Sequence, residues 1–312
     1  MSRFTRLGLA VVYSPLLWGC VASVGFYTLH HGGVLSGETV DRYFAGHPVN
    51  YIETVTFFVG LAALVIKALD LAGQWQSLDQ VNLESVPDGG NDVSDATRLL
   101  TTFEGLPPTV RESLLARRLR AGLEFVRRHQ SAQGLETELK DFSDVDAAGA
   151  NSSYALLRIV IWAIPILGFL GTVIGITMAI AELSPEALEK SLPQVTHGLG
   201  VAFDTTALAL ALSMVLMFLQ YACDRFERRI LGEVDRRTLA QLGGRFTEYG
   251  PGGNAQVAEV RQPAMRWRYV FPVNLLAKLR IDGFLLGLFA AMAIGVLLPA
   301  RGDAGEAVET AT

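Results

Sequence analysis

Apolar residues gather in five runs along the chain, at 7–29, 51–71, 156–181, 199–221 and 283–299, and charges and turn residues return between them. The first four are long enough to cross a bilayer as helices, which takes about 20 mainly apolar residues because hydrocarbon offers no partner to a bare backbone amide. The fifth is shorter and relies on Ala and Gly. The pattern predicts an all-α protein, a polytopic membrane helix bundle of four spans with a fifth at the C-terminus and helical cytoplasmic segments between them. It divides the chain into a first transmembrane hairpin (1–71), a cytoplasmic helical segment (72–155), a second transmembrane helix pair (156–221), a basic cytoplasmic helix and linker (222–282), and the last span with a polar tail (283–312). Arg3 and Arg6 precede the first run as they would in a signal peptide, but its apolar stretch exceeds the usual length of about 7 to 15 residues, so it reads as an anchor.

Between the runs the period changes. Residues 109–130 place Val110, Leu114, Leu119, Leu123 and Val126 near one face, with Arg111, Arg117, Arg118, Arg120, Arg127 and Arg128 mostly elsewhere, which predicts an amphipathic helix. Ser94 is positioned to cap a short helix upstream, and Pro107-Pro108 breaks it. After the fourth run, Arg225, Arg228, Arg229, Arg236 and Arg237 recur at helical spacing, so that helix is expected to continue to the glycine-rich break at 250–253.

Composition agrees with a bilayer. Half of the 312 residues are hydrophobic, 18% are charged, and the mean hydropathy is +0.33. The net charge of −5 averages over compartments and gives no sign of a nucleic-acid partner. The distribution of charge is more informative. With the N-terminus in the cytoplasm, the outer segments 30–50, 182–198 and 300–312 hold only Arg42, Lys190 and Arg301 of the 26 Lys and Arg, leaving 23 inside or at inner helix ends. That asymmetry predicts a multi-pass membrane protein with its N-terminus on the cytoplasmic side. Cys20 and Cys223 read as packed thiols rather than a disulfide. No phosphate-cradling loop, metal-spaced His/Cys cluster or nucleophile elbow occurs, and His30, His31, His47 and His197 lack partner spacing; neither enzyme chemistry, a metal nor a cofactor is expected.

The third and fourth runs differ from the first two, which read as anchors. In the third, Pro165, Gly168, Thr172, Gly175, Ala179 and Glu182 recur every three or four residues, and Gly171 and Gly175 have the small-xxx-small spacing that lets helix backbones approach. In the fourth, Asp204, Thr205 and Thr206 stand at membrane depth. An aspartate at the centre of a span costs roughly 2.5–3.5 kcal/mol on insertion scales, so it faces a polar interior, binds a partner or is protonated. Thr172 and Thr206 each lie roughly 15 Å from the outer end of their helices, level with each other, whereas Asp204 points about 200° away from Thr206. Antiparallel neighbours would therefore present Thr172 and Thr206 to one polar pathway, with Thr205 beside them and Asp204 facing either that pathway or a different helix interface, while Gly168, Gly171 and Gly175 serve packing.

The stretches Pro165-Ile-Leu-Gly-Phe-Leu-Gly-Thr172-Val-Ile-Gly175 and Gly198-Leu-Gly-Val-Ala-Phe-Asp-Thr-Thr206-Ala resemble the MotA/TolQ/ExbB proton-channel family over roughly residues 150–240. The resemblance implies a ring-forming subunit, typically a pentamer, around a single-span partner of the ExbD, TolR or MotB kind that brings the key aspartate. It also implies that Thr172 and Thr206 line the pore, that Pro165 is the proline of the first motif helix, and that proton flow drives mechanical work. Two departures stand out. Val201 occupies the position where ExbB-like proteins have a glutamate, so that acid's role is absent or has passed to Asp204 one turn on, and the fifth span is additional. The alternative is a non-conducting membrane scaffold that recruits a cytoplasmic partner through its arginine-rich helices.

Overall fold

A computed structural model describes residues 14–35, 37–87, 89–181, 188–246, 248–249 and 255–256. The predicted fifth run, and residues 7–13 of the first, lie outside these residues. The first run contributes α1 (Pro15–His31), joined through the short α2 (Glu38–Phe44) to α3 (Pro48–Ser77). Pro48 starts α3 at the position where a missing N–H is harmless, and His47 caps it by accepting from Val49 N at 3.2 Å. Two long helices, α8 (Ala155–Ala181) and α9 (Leu188–Leu242), complete the apolar bundle. Among the described residues, three segments are long and apolar enough to cross a membrane: Pro48–Gln80, Leu135–Ala181 and Val195–Leu242.

Small residues set the contacts. α1 runs antiparallel to α3, with Gly19 so close to Val59 that a Cβ there would lie 2.5 Å from the Val59 Cα. α3 in turn lies against both α8 and α9, its Gly60 facing Val160 and Leu216. The predicted division into an anchoring hairpin and a separate functional pair is therefore too sharp. α3 shares one apolar core with the pair, through Leu64, Ile161, Ile164, Leu208, Leu212 and Leu216.

At the far end, away from α2, the polar segment between the second and third runs forms a second helical body. It comprises α4 (Asp95–Thr101), α5 (Pro108–Arg111), α6 (Leu114–His129) and α7 (Leu135–Ser153), packed on the ends of α3 and α9. The amphipathic helix predicted over 109–130 is divided between α5 and α6 by a break at Glu112-Ser113, and on α6 Leu115, Leu119, Leu123 and Val126 are fully buried, with Leu114 only half-buried. Burial of each such leucine contributes about 1.5–3 kcal/mol relative to an exposed one. Its cap is Ser113, whose hydroxyl accepts from Ala116 N; Ser94 stands at the start of α4 but makes no such bond. α9 ends at Leu242, short of the expected 250–253, because Gly243 and Gly244 follow and Gly244 takes the left-handed conformation (φ 65°) that terminates helices. A two-residue antiparallel ribbon, β1 (Glu248–Tyr249) with β2 (Ala255–Gln256), is the last described feature.

A buried arginine ties the helices of this second body together. Arg118 on α6 is 3% exposed and bridges Asp146 on α7 (3.1 Å) and Asp235 on α9, which also accepts from Ser143 at 3.0 Å. Removing one partner of a buried ion pair costs about 3–5 kcal/mol, and the partly exposed aspartates place this site at the lower end. Arg118→Ala is expected to destabilise the helical body by about 3 kcal/mol. Thermal unfolding of the purified full chain checks this, and an unchanged midpoint contradicts it.

Candidate functional site

α8 and α9 meet along the predicted small-residue stripe. A Cβ at Gly168 would fall 2.4 Å from Ala209 Cβ, one at Gly171 2.6 Å from Thr205 Oγ1, and one at Gly175 2.8 Å from the Gly198 carbonyl. The helices pack backbone to backbone, which only glycine permits at these three positions. Thr205 is fully buried against Gly171, and its hydroxyl donates to its own helix at Ala202 O (3.0 Å). It is part of the seam between the helices.

Because Thr205 meets Gly171, their neighbours Thr206 and Thr172 stand at nearly the same depth along the antiparallel pair. Both are half-buried at the edge of the seam. Thr172 donates to Phe169 O at 2.6 Å and Thr206 to Ala202 O at 2.9 Å. With the hydroxyl protons turned onto the helix, the oxygens keep acceptor lone pairs for water or another donor.

Pro165 lies inside α8, which continues through it. Its missing N–H frees the Ile161 carbonyl four residues earlier. Ser213 of α9, 4% exposed, donates to that carbonyl at 3.0 Å. The proline's backbone deficit is thus met by the neighbouring helix, which ties the two together.

Asp204 leaves the seam on the other shoulder of α9, as its spacing from Thr206 requires. Arg42 of α2 clamps it through both oxygens, Nε to Oδ2 at 2.7 Å and the second nitrogen to Oδ1 at 2.8 Å. Such bidentate charge-assisted pairs are among the strongest hydrogen-bonding arrangements. The bond to Asp204 raises the already high pKa of Arg42. The costly aspartate therefore has an arginine partner within the chain, and the pair secures α2 over this end of the bundle.

Two further polar residues face the helix pair from α3. Glu53 is fully buried, and neither carboxyl oxygen has a hydrogen-bond partner among the described residues. Lys67, two heptads further along the same face, donates to Glu227 Oε1 at 2.7 Å and Ser153 Oγ at 3.0 Å, and lies over the Tyr154 ring. Sequence reasoning missed both by treating the second run as an anchor. The available signal was the two charges interrupting that run on one helical face.

No curated protein and no solved structure matches the chain significantly. Residues 110–237, from α5 through most of α9, match a family model, whereas α1, α2 and α3 precede the matched region. The matched stretch holds the seam, the two level threonines and the proline. The model that these residues match is that of the MotA/TolQ/ExbB proton channel family.

Proposed function

We propose that the chain is the ring-forming subunit of a proton-conducting complex in a bacterial inner membrane, which couples ion flow to mechanical work through a single-span partner of the ExbD, TolR or MotB kind. The observation carrying this reading is that Thr172 and Thr206 stand half-buried at one depth on a glycine-packed helix pair, within the region matching the family. In this reading the N-terminus and the α4–α7 body are cytoplasmic, in keeping with the distribution of Lys and Arg. Thr172 and Thr206 form this subunit's share of the pore wall, Thr205 and the glycines hold the pair together, and Asp204 with Arg42 stands at the outer mouth.

α8 carries a broad exposed apolar surface, with Ile159, Trp162, Ile166 and Phe169 each at least 63% exposed. Lipid and neighbouring copies, five in a ring, would cover that surface. Each proton crossing supplies about 2.3 kcal/mol per 100 mV of membrane potential, enough for stepwise motion without covalent chemistry. Co-purification with the products of neighbouring genes, followed by subunit counting and reconstitution into vesicles carrying a pH dye, tests the proposal. The expected result is an oligomeric ring around a single-span protein that passes protons. A complex with a cytoplasmic partner alone and no proton flux would instead establish the scaffold.

A further inference from the structure

Glu53 presents an unusual deficit. It is 0% exposed, and both its carboxyl oxygens lack partners among the described residues. One turn earlier on the same face, Asn50 is 1% exposed. Its amide nitrogen donates to Tyr43 O at 2.6 Å, which fixes the side-chain orientation and leaves Oδ1 as a second buried acceptor without a donor. An ionised carboxylate accepts only, so two acceptor groups are buried one turn apart on the same helix face, neither with a donor. A single proton on Glu53 removes the conflict: it neutralises a charge that is very expensive to bury alone and supplies the O–H that Asn50 Oδ1 lacks.

The position of this acid connects it to the channel. Glu53 lies two turns from Gly60 on the same face of α3, the face that meets Val160 of α8 and Leu216 of α9. Counting about 10 Å back from that contact along the three helices sets Glu53 level with the Gly168–Ala209 contact, within about one turn of Thr206. Among the described residues, few titratable or charged groups lie near it, Tyr43 of α2 among them through its carbonyl bond to Asn50. Tyr27 approaches from α1, Tyr51 lies on α3 itself, and the Arg42–Asp204 pair from α2 and α9 is closed on itself. The charged residue of α8, Arg158, sits at that helix's opposite end.

We propose that Glu53 and Asn50 form a proton-binding site in the wall of the helix pair, holding a proton as a neutral carboxylic acid and exchanging it with the pathway beside Thr206. Binding and release are simple transfer: water delivers H⁺ to a Glu53 oxygen, the acid donates to Asn50 Oδ1, and the same proton returns to water. The site lies on α3, outside the region that matches the family. The exchange with the pathway rests on the channel reading; the protonation itself does not.

Infrared difference spectroscopy of the full chain in lipid nanodiscs tests the protonation. The expected result at neutral pH is a carboxylic-acid carbonyl band that is lost in Glu53→Gln and shifted in Asn50→Leu. A wild type without that band, or a band unaffected by Glu53→Gln, overturns the site. A band that disappears on adding Na⁺ at constant pH overturns the proton assignment in favour of a sodium ion. In vesicles with the single-span partner, Glu53→Gln is expected to lower proton flux at least about tenfold, a barrier increase of about 1.4 kcal/mol. Undiminished flux overturns the exchange role. A wild type that shows the band but passes no protons with any partner refutes the channel and leaves the binding site standing, so the two failures are distinguishable.

Discussion

Replacing Thr206 with valine, or Thr172 with alanine, is expected to cut proton flux through the assembled complex to below about a tenth of wild type, a barrier raised by more than about 1.4 kcal/mol. Valine keeps the shape of threonine but loses an oxygen that both donates and accepts. At this depth no bulk water replaces it, so a proton path past Thr206 loses a relay point. Thr206→Ser, which keeps the hydroxyl, is expected to retain most of the flux. Assembly should be normal in all three variants, because Thr206 and Thr172 bond only to their own helices and neither fills the seam. Flux measured in vesicles after confirming ring formation decides the matter; wild-type flux in both the valine and alanine variants refutes the pore assignment.

The seam itself yields the second large effect. Gly168→Ala places a methyl 2.4 Å from Ala209 Cβ, where two carbons cannot coexist, so α8 and α9 must separate. Overpacking of this kind costs about 1–3 kcal/mol, and a bulkier residue at Gly168 or Gly171 costs more. Gly168→Leu is expected to prevent assembly altogether. The informative comparison is the double variant Gly168→Ala with Ala209→Gly, which moves the methyl from one helix to the other and should recover most of the lost stability. Melting of the purified protein in detergent gives the values; a double variant no more stable than Gly168→Ala shows that these residues do not meet.

The small-residue seam was legible in the sequence because membrane helices reveal a close contact by period. Gly168, Gly171 and Gly175 recur at the spacing of one helix face, and glycine, with no side chain to pack, marks a face where a neighbouring backbone comes close. The α6 core face was legible for the same reason, since leucines and arginines separate cleanly around that helix. Partnerships across long chain separations were not. Nothing local to Asp204 indicates Arg42, which joins it from a short helix 162 residues earlier. Nothing local to Pro165 indicates that Ser213 will take the carbonyl it frees. Glu53 was hidden differently: a carboxylate near the start of an apolar run reads as an interfacial residue until neighbouring helices are seen to close over it. The end of α9 was misplaced because two glycine-rich stretches compete, and Gly243-Gly244 comes first.

α9 also has a mechanical consequence. Its 55 residues form one helix about 80 Å long, running from Leu188 past the threonines into the second helical body, where Asp235 is gripped by Arg118. Thr206 and Leu242 are separated by about 54 Å of that rod. A tilt of about 5° pivoting at Thr206 would swing Leu242 sideways by about 5 Å, roughly the width of a side chain, as follows from the helical rise. The helix is a lever with its short arm in the apolar bundle and its long arm in the polar body. A slight rocking at the seam would thereby be amplified into a displacement at Leu242.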